Sequence, residues 1–92
     1  MEIKVYATLR DIVGGPSVQL NGVSKLTVGE MLQKMFAQYP KLEPAFYKSN
    51  GELHPATRVL LNGRDVQYIG GLETVVTAED TIRIFPPVGG GC

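Results

Sequence analysis

The chain has 92 residues, which suits one domain with a single core and is too short to enclose a deep cleft between two lobes. Hydrophobic residues make up 43% and charged residues 20%, the balance of an ordinary globular protein rather than a disordered or membrane-spanning one. Nine basic and nine acidic residues cancel to zero net charge and lie scattered, so the sequence carries no basic run of the kind that binds a phosphate backbone.

The opening residues alternate polar and apolar, unlike a signal peptide, and no stretch reaches membrane-spanning length. Cys92 is the only cysteine, which excludes an intrachain disulfide and a cysteine-based zinc site. A cytoplasmic location without membrane or nucleic-acid partners is the expectation. A prenylated cysteine would stand fourth from the end and a myristoylated glycine would follow Met1, and neither is present.

In chain order, Ile3, Val5, Ala7 and Leu9 are expected on one face of a first strand, with Lys4, Tyr6 and Thr8 on the other. Gly14-Gly15-Pro16 breaks the chain, and Ser17 to Leu20 resumes the alternation as the returning strand of a hairpin. Thr27 followed by Glu30 is a capping box at the start of a helix. Val28, Met31, Leu32, Met35 and Phe36 give that helix an apolar stripe, and Pro40 stops it.

Lys41 to Pro55 reads as an irregular, mobile connection around one short helical turn near Leu42 to Phe46. A strand over Thr57 to Leu61 meets Asn62-Gly63, the favoured tight hairpin turn, and a short strand returns over Asp65 to Ile69 before Gly70-Gly71. The last strand, Thr81 to Phe85, points Ile82 and Ile84 one way and Arg83 and Phe85 the other. The pattern is an α+β mixed sheet of four to five strands on one main helix, with a body over residues 1–85 and a tail over 86–92.

The tail carries the chemistry. Pro86 and Pro87 cannot donate to a sheet ladder and hold an extended backbone, so the chain leaves the last strand stiff. Fully extended, the residues beyond Phe85 reach on the order of 20 Å, the depth of a partner's active-site channel. Gly89, Gly90 and Gly91 let the backbone pass where no Cβ fits.

Ile3 to Arg10, Val59 to Val66 and Ile84-Phe85-Pro86-Pro87-Val88-Gly89-Gly90-Gly91 together resemble, in order and spacing, the MoaD/ThiS family of ubiquitin-like sulfur carriers, most closely its molybdopterin synthase small-subunit branch. The resemblance spans nearly the whole chain. It implies a ubiquitin-like β-grasp fold and a carrier without catalytic residues of its own. A ubiquitin-activating-type partner adenylates the C-terminal glycine, here Gly91, which then becomes a thiocarboxylate.

A free C-terminal carboxylate has a pKa of about 3.5 and is a poor electrophile until its oxygen becomes part of a leaving group. ATP is therefore used by the partner, since this chain has neither a phosphate-binding loop with its lysine nor a dinucleotide-binding turn. Val88 with Pro86, Pro87, Gly89 and Gly90 is expected to thread the partner's channel. The acceptor implied by the branch is a molybdopterin precursor bound to the synthase large subunit; tRNA thiolation, thiamine and cysteine or homocysteine synthesis, and conjugation to lysines, are the alternatives.

Alternation leaves Leu60 and Phe85 on the outer face, and in ubiquitin-like proteins that face docks the activating enzyme, so both are expected in a docking patch bordered by Arg64 and Arg83. Scattered surface apolars are the plainer account. His54, Glu73, Glu79 and Asp80 read as surface residues rather than as acid, base or ligands. Cys92 departs from the family pattern, in which the glycine is terminal. It is expected to be removed between Gly91 and Cys92, as a metalloprotease does for some members; the alternatives are that it stays as an exposed thiol or is foreign to the native chain.

Overall fold

The computed structural model describes residues 1–47, 54 and 57–87. Glu2–Val5 (β1) alternates outward and buried side chains, with Ile3 and Val5 wholly buried. The strand stops there, four residues short of the expected Leu9. Ala7 turns the backbone at φ 53° into a helix over Thr8–Val13 (α1), and Leu9 reaches the core from that helix. A spacing of two apolar residues per four serves a strand and a helical turn alike, so alternation alone continued β1 too far. Gly14, at φ 78°, caps α1 by donating its N–H to the Arg10 carbonyl, and the chain returns as Ser17–Gln19 (β2), antiparallel to β1.

Lys25–Thr27 (β3) leads into the main helix, Val28–Gln38 (α2). The capping box forms as its sequence demands: Glu30 N–H donates to Thr27 Oγ1 at 3.1 Å, and Thr27 N–H to Glu30 Oε1 at 2.9 Å. Val28, Met31, Leu32, Met35 and Phe36 are all buried. The connection begins with a 3-10 turn over Pro40–Leu42 and then the expected short helix, Glu43–Phe46 (α3), and the two bury Leu42 and Phe46. Phe46 and Tyr47 meet Phe36 edge-on, at centroid distances of 5.3 and 5.8 Å. The rest of that connection, residues 48–53 and 55–56, lies outside the described residues, as do 88–92.

Arg58–Leu61 (β4) and Arg64–Asp65 (β5) form the expected hairpin, with Asn62 and Gly63 both at positive φ as a type I′ turn requires. The returning strand is two residues long, not five. Asp65 accepts from Gln67 N–H and starts a 3-10 turn over Val66–Tyr68, so Gly70 and Gly71 lead into a second such turn over Gly71–Glu73. Val75–Thr77 (β6) pairs with β3 in a separate two-stranded sheet, and Ile82–Phe85 (β7) closes the fold. The main sheet runs β2-β1-β7-β4-β5, with β7 parallel to β1 and antiparallel to β4. It packs on α2 as the mixed sheet and single main helix of a β-grasp fold.

One polar clasp joins two turns distant in sequence. Asp80 accepts from Asn62 Nδ2 at 3.0 Å, Thr77 N–H at 2.7 Å and Thr77 Oγ1 at 3.1 Å, while Asn62 Oδ1 accepts from Thr81 N–H at 2.8 Å. The hydrogen bond from Asn62, and then those from Thr77, favour the charged form and hold the Asp80 carboxyl below its usual 3.8. A depressed folded-state pKa adds stability that is present above the unfolded value and is lost as pH falls through the folded one. Chemical denaturation should therefore show the wild type weakening below pH 3.8. Asp80→Asn should be less stable at neutral pH and show a smaller loss over that acid range; equal pH slopes would count against the clasp.

Candidate functional site

Because β7 lies at the middle of the sheet, the residues that follow it leave from between β1 and β4 rather than from an edge. Pro86 is buried and Pro87 half-buried, so the first proline of the tail is seated on the body. Val88, Gly89, Gly90, Gly91 and Cys92, which carry the expected threading, thiocarboxylate and processing sites, lie outside the described residues.

The outward side chains beside this exit form two rows across the sheet. Register places Ser17, Lys4, Arg83, Leu60 and Asp65 in the first, with Leu60 half-buried between Arg83 and Asp65. The second row contains Phe85 and Arg58, with Tyr6 just beyond β1 completing it. The Tyr6 and Phe85 rings are stacked, with centroids 4.4 Å apart and planes 10° from parallel. Arg10, on α1, lies over the Tyr6 ring at 4.9 Å and donates from Nε to the Val5 carbonyl at 2.8 Å.

Leu60, Arg83 and Phe85 thus share one face. Arg64 does not join them. It stands opposite Leu61, whose side chain packs toward the core, while its neighbour Asp65 stands opposite Leu60. Arg58 occupies the place expected of Arg64 and pairs with Asp65 at 3.4 Å. Tyr6, Arg10, Lys4 and Arg58 were missed in the sequence. Alternation marked Lys4 and Tyr6 as outward, but nothing local says which strands become neighbours, and Arg10 arrives from a helix read as strand.

Three further polar residues are engaged elsewhere. Asp80 is held in the clasp and favoured as the anion, the wrong bias for a general acid. Glu30 belongs to the capping box and borders an open groove of about 780 Å³ between β3 and α2, where Lys25, Lys34 and Glu73 also lie. His54 donates its backbone N–H to the Phe46 carbonyl. Among the described residues no three His, Cys, Asp or Glu side chains gather as metal ligands, and no helix is long and apolar enough to cross a membrane.

The ThiS family profile matches residues 3–91. Small archaeal modifier protein 3 of Haloferax volcanii is 35% identical over 91 residues, covering 99% of this chain and 98% of the relative. The sulfur carrier protein CysO of Mycobacterium tuberculosis is 30% identical over 92 residues, covering 97% and 96%. Among solved structures, a chain of the Amycolatopsis orientalis BexX/CysO complex superposes with a TM-score of 0.76 at 31% identity, covering 95% of this chain and 94% of that one. By name these relatives are a modifier protein and a sulfur carrier, and the solved complex pairs CysO with BexX. The chain belongs to the ThiS family, as a non-catalytic β-grasp protein of the sulfur-carrier and ubiquitin-like modifier class.

Proposed function

We propose that this protein carries sulfur as a thiocarboxylate on Gly91, and that Cys92 is removed first. The observation that carries the reading is where the last strand ends: β7, central in the sheet, runs into Pro86 and Pro87 beside an outward face built on Phe85, Tyr6 and Leu60, and in sequence a glycine run follows. A partner's adenylating enzyme grips that face, draws Val88, Gly89 and Gly90 into its channel and supplies ATP. The Gly91 carboxylate oxygen attacks the α-phosphorus and releases pyrophosphate. A hydrosulfide ion then attacks the acyl carbon, the C–S bond forming as the C–O bond to AMP breaks, and loss of the thiol proton leaves the thiocarboxylate.

The finer reading of the acceptor is a molybdopterin precursor on a synthase large subunit, supported by the likeness of Val59 to Val66 and Ile84 to Gly91 to that branch. Similarity to Small archaeal modifier protein 3 favours a second reading, in which a lysine amine attacks the same activated Gly91 and leaves an isopeptide bond. Both need one activated acyl group, so the fate of the protein in its own cells separates them. Mass spectrometry of the recovered chain should show one oxygen replaced by sulfur. Glycine remnants on target lysines, with no sulfur-bearing chain, would support conjugation instead.

An amide carbonyl offers no free carboxylate to ATP, so the full chain should be inert to the adenylating enzyme and the form ending at Gly91 active. Equal adenylation of the full chain with Cys92 retained would remove the processing step. Gly90→Val adds a branched side chain inside the proposed channel and should lower adenylation at least tenfold without changing the unfolding midpoint. Phe85→Leu keeps an apolar side chain but loses the stack on Tyr6. It should cost about 1 kcal/mol in denaturant unfolding, and about 2 kcal/mol or more in affinity for the enzyme if the aromatic anchors the interface. Affinity lost only in proportion to stability would mean that the ring serves the fold alone.

A further inference from the structure

The outer face has a charge problem that the described residues do not solve. Lys4 on β1 and Arg83 on β7 are direct neighbours across the parallel ladder, about 4.8 Å apart by strand spacing. Like charges placed directly opposite destabilise a sheet. Arg10 stands one row further along, over Tyr6. The acids on this face are Asp65, which is paired with Arg58 and accepts from Gln67 N–H, and Glu2, which lies opposite Gln19 at the far end of β1. Among the described residues, Lys4, Arg10 and Arg83 have no carboxylate within ion-pair distance. A chain of zero net charge therefore gathers three cations without a carboxylate partner among the described residues around Tyr6, Phe85 and Leu60, where β7 ends.

We propose that this face receives an acidic protein surface, an apolar socket for Phe85 and Leu60 rimmed by carboxylates that face Lys4, Arg83 and Arg10. The assignment rests on the docking role given to this face above and adds the chemistry of the partner. Carboxylates at the rim relieve the Lys4–Arg83 repulsion on association and steer the approach so that the tail arrives at the channel mouth. Protein rather than RNA is the matching polyanion, because Tyr6 has Phe85 stacked on it and the Arg10 guanidinium over its ring, which leaves Phe85 without a second open aromatic beside it on which successive bases would stack.

The proposal makes stability and affinity move in opposite directions. Lys4→Glu places a carboxylate beside Arg83 and removes the like-charge contact, so its unfolding midpoint should equal or exceed that of the wild type. Its affinity for the cognate adenylating enzyme, measured by surface plasmon resonance with the chain ending at Gly91, should fall about tenfold, as should that of Arg83→Glu. Lys4→Arg should bind as the wild type does. Raising NaCl from about 50 to about 500 mM should slow association of the wild type and largely erase its advantage over Lys4→Glu. In ATP–pyrophosphate exchange the loss should fall on KM rather than on kcat.

Affinities of both charge reversals within twofold of wild type, or wild-type association insensitive to salt, would overturn the acidic partner. Tighter binding of poly(U) RNA than of the enzyme, with the same dependence on Lys4, would overturn it in favour of nucleic acid. Failure of the activation reading looks different. The wild type would then give no pyrophosphate exchange, yet salt-sensitive, Lys4-dependent binding to the enzyme would still uphold the acidic interface.

Discussion

Ile3 beside Ile82 and Val5 beside Ile84 set the first and last strands parallel at the centre of the sheet, and this pairing governs what the molecule can do. A parallel pair cannot be joined by a tight turn, so everything between β1 and β7 must cross over and return. That crossover includes α2, whose apolar stripe covers the sheet and fills the core with Met31, Leu32 and Met35. With β1 on one side and β4 on the other, β7 is held by ladders along both edges. The backbone that continues past Phe85 therefore starts from one of the most firmly held strands of the fold. A carrier whose reactive group sits at a chain end gains from such an anchor, because the partner can pull on the tail without unravelling the sheet.

The same pairing composes the outer face from residues far apart in sequence. Tyr6 and Phe85 stack because β1 and β7 run in the same direction in register, and Arg58 reaches the row only because β4 is antiparallel to β7. Arg10 is fixed from a third element, through its bond to the Val5 carbonyl. Neutralising the chain overall while concentrating cations here gives the protein a directional field rather than a net one. Orientation of an encounter depends on such a field more than on total charge.

Local chemistry was legible wherever a short sequence dictates its own geometry. Thr27 and Glu30 determine the start of α2, and Asn62-Gly63 the hairpin turn, because each arrangement is closed by atoms within a few residues. The errors fall where the deciding contact is distant. Leu9 is buried from a helix because Ala7 adopts a positive φ that no nearby residue announces. The strand after Gly63 ends at Asp65 because its carboxylate turns back onto the Gln67 N–H. β3 and β6, three residues each, were not anticipated, since each becomes a strand only by pairing with the other across a separation of about fifty residues.

Arg64 shows how little error a sheet tolerates. In a period of two, a residue displaced by one position moves to the opposite face, so a correct hairpin still assigned the wrong arginine to the outer surface. Arg58 takes that place, but its pairing with Asp65 satisfies it within the fold. Lys4 and Arg83, neighbours across the ladder, have no such answer among the described residues. Minimising the energy of the isolated domain would separate two like charges on adjacent strands. Their adjacency where the chain leaves β7 is what a surface neutralised by the proposed acidic partner would show.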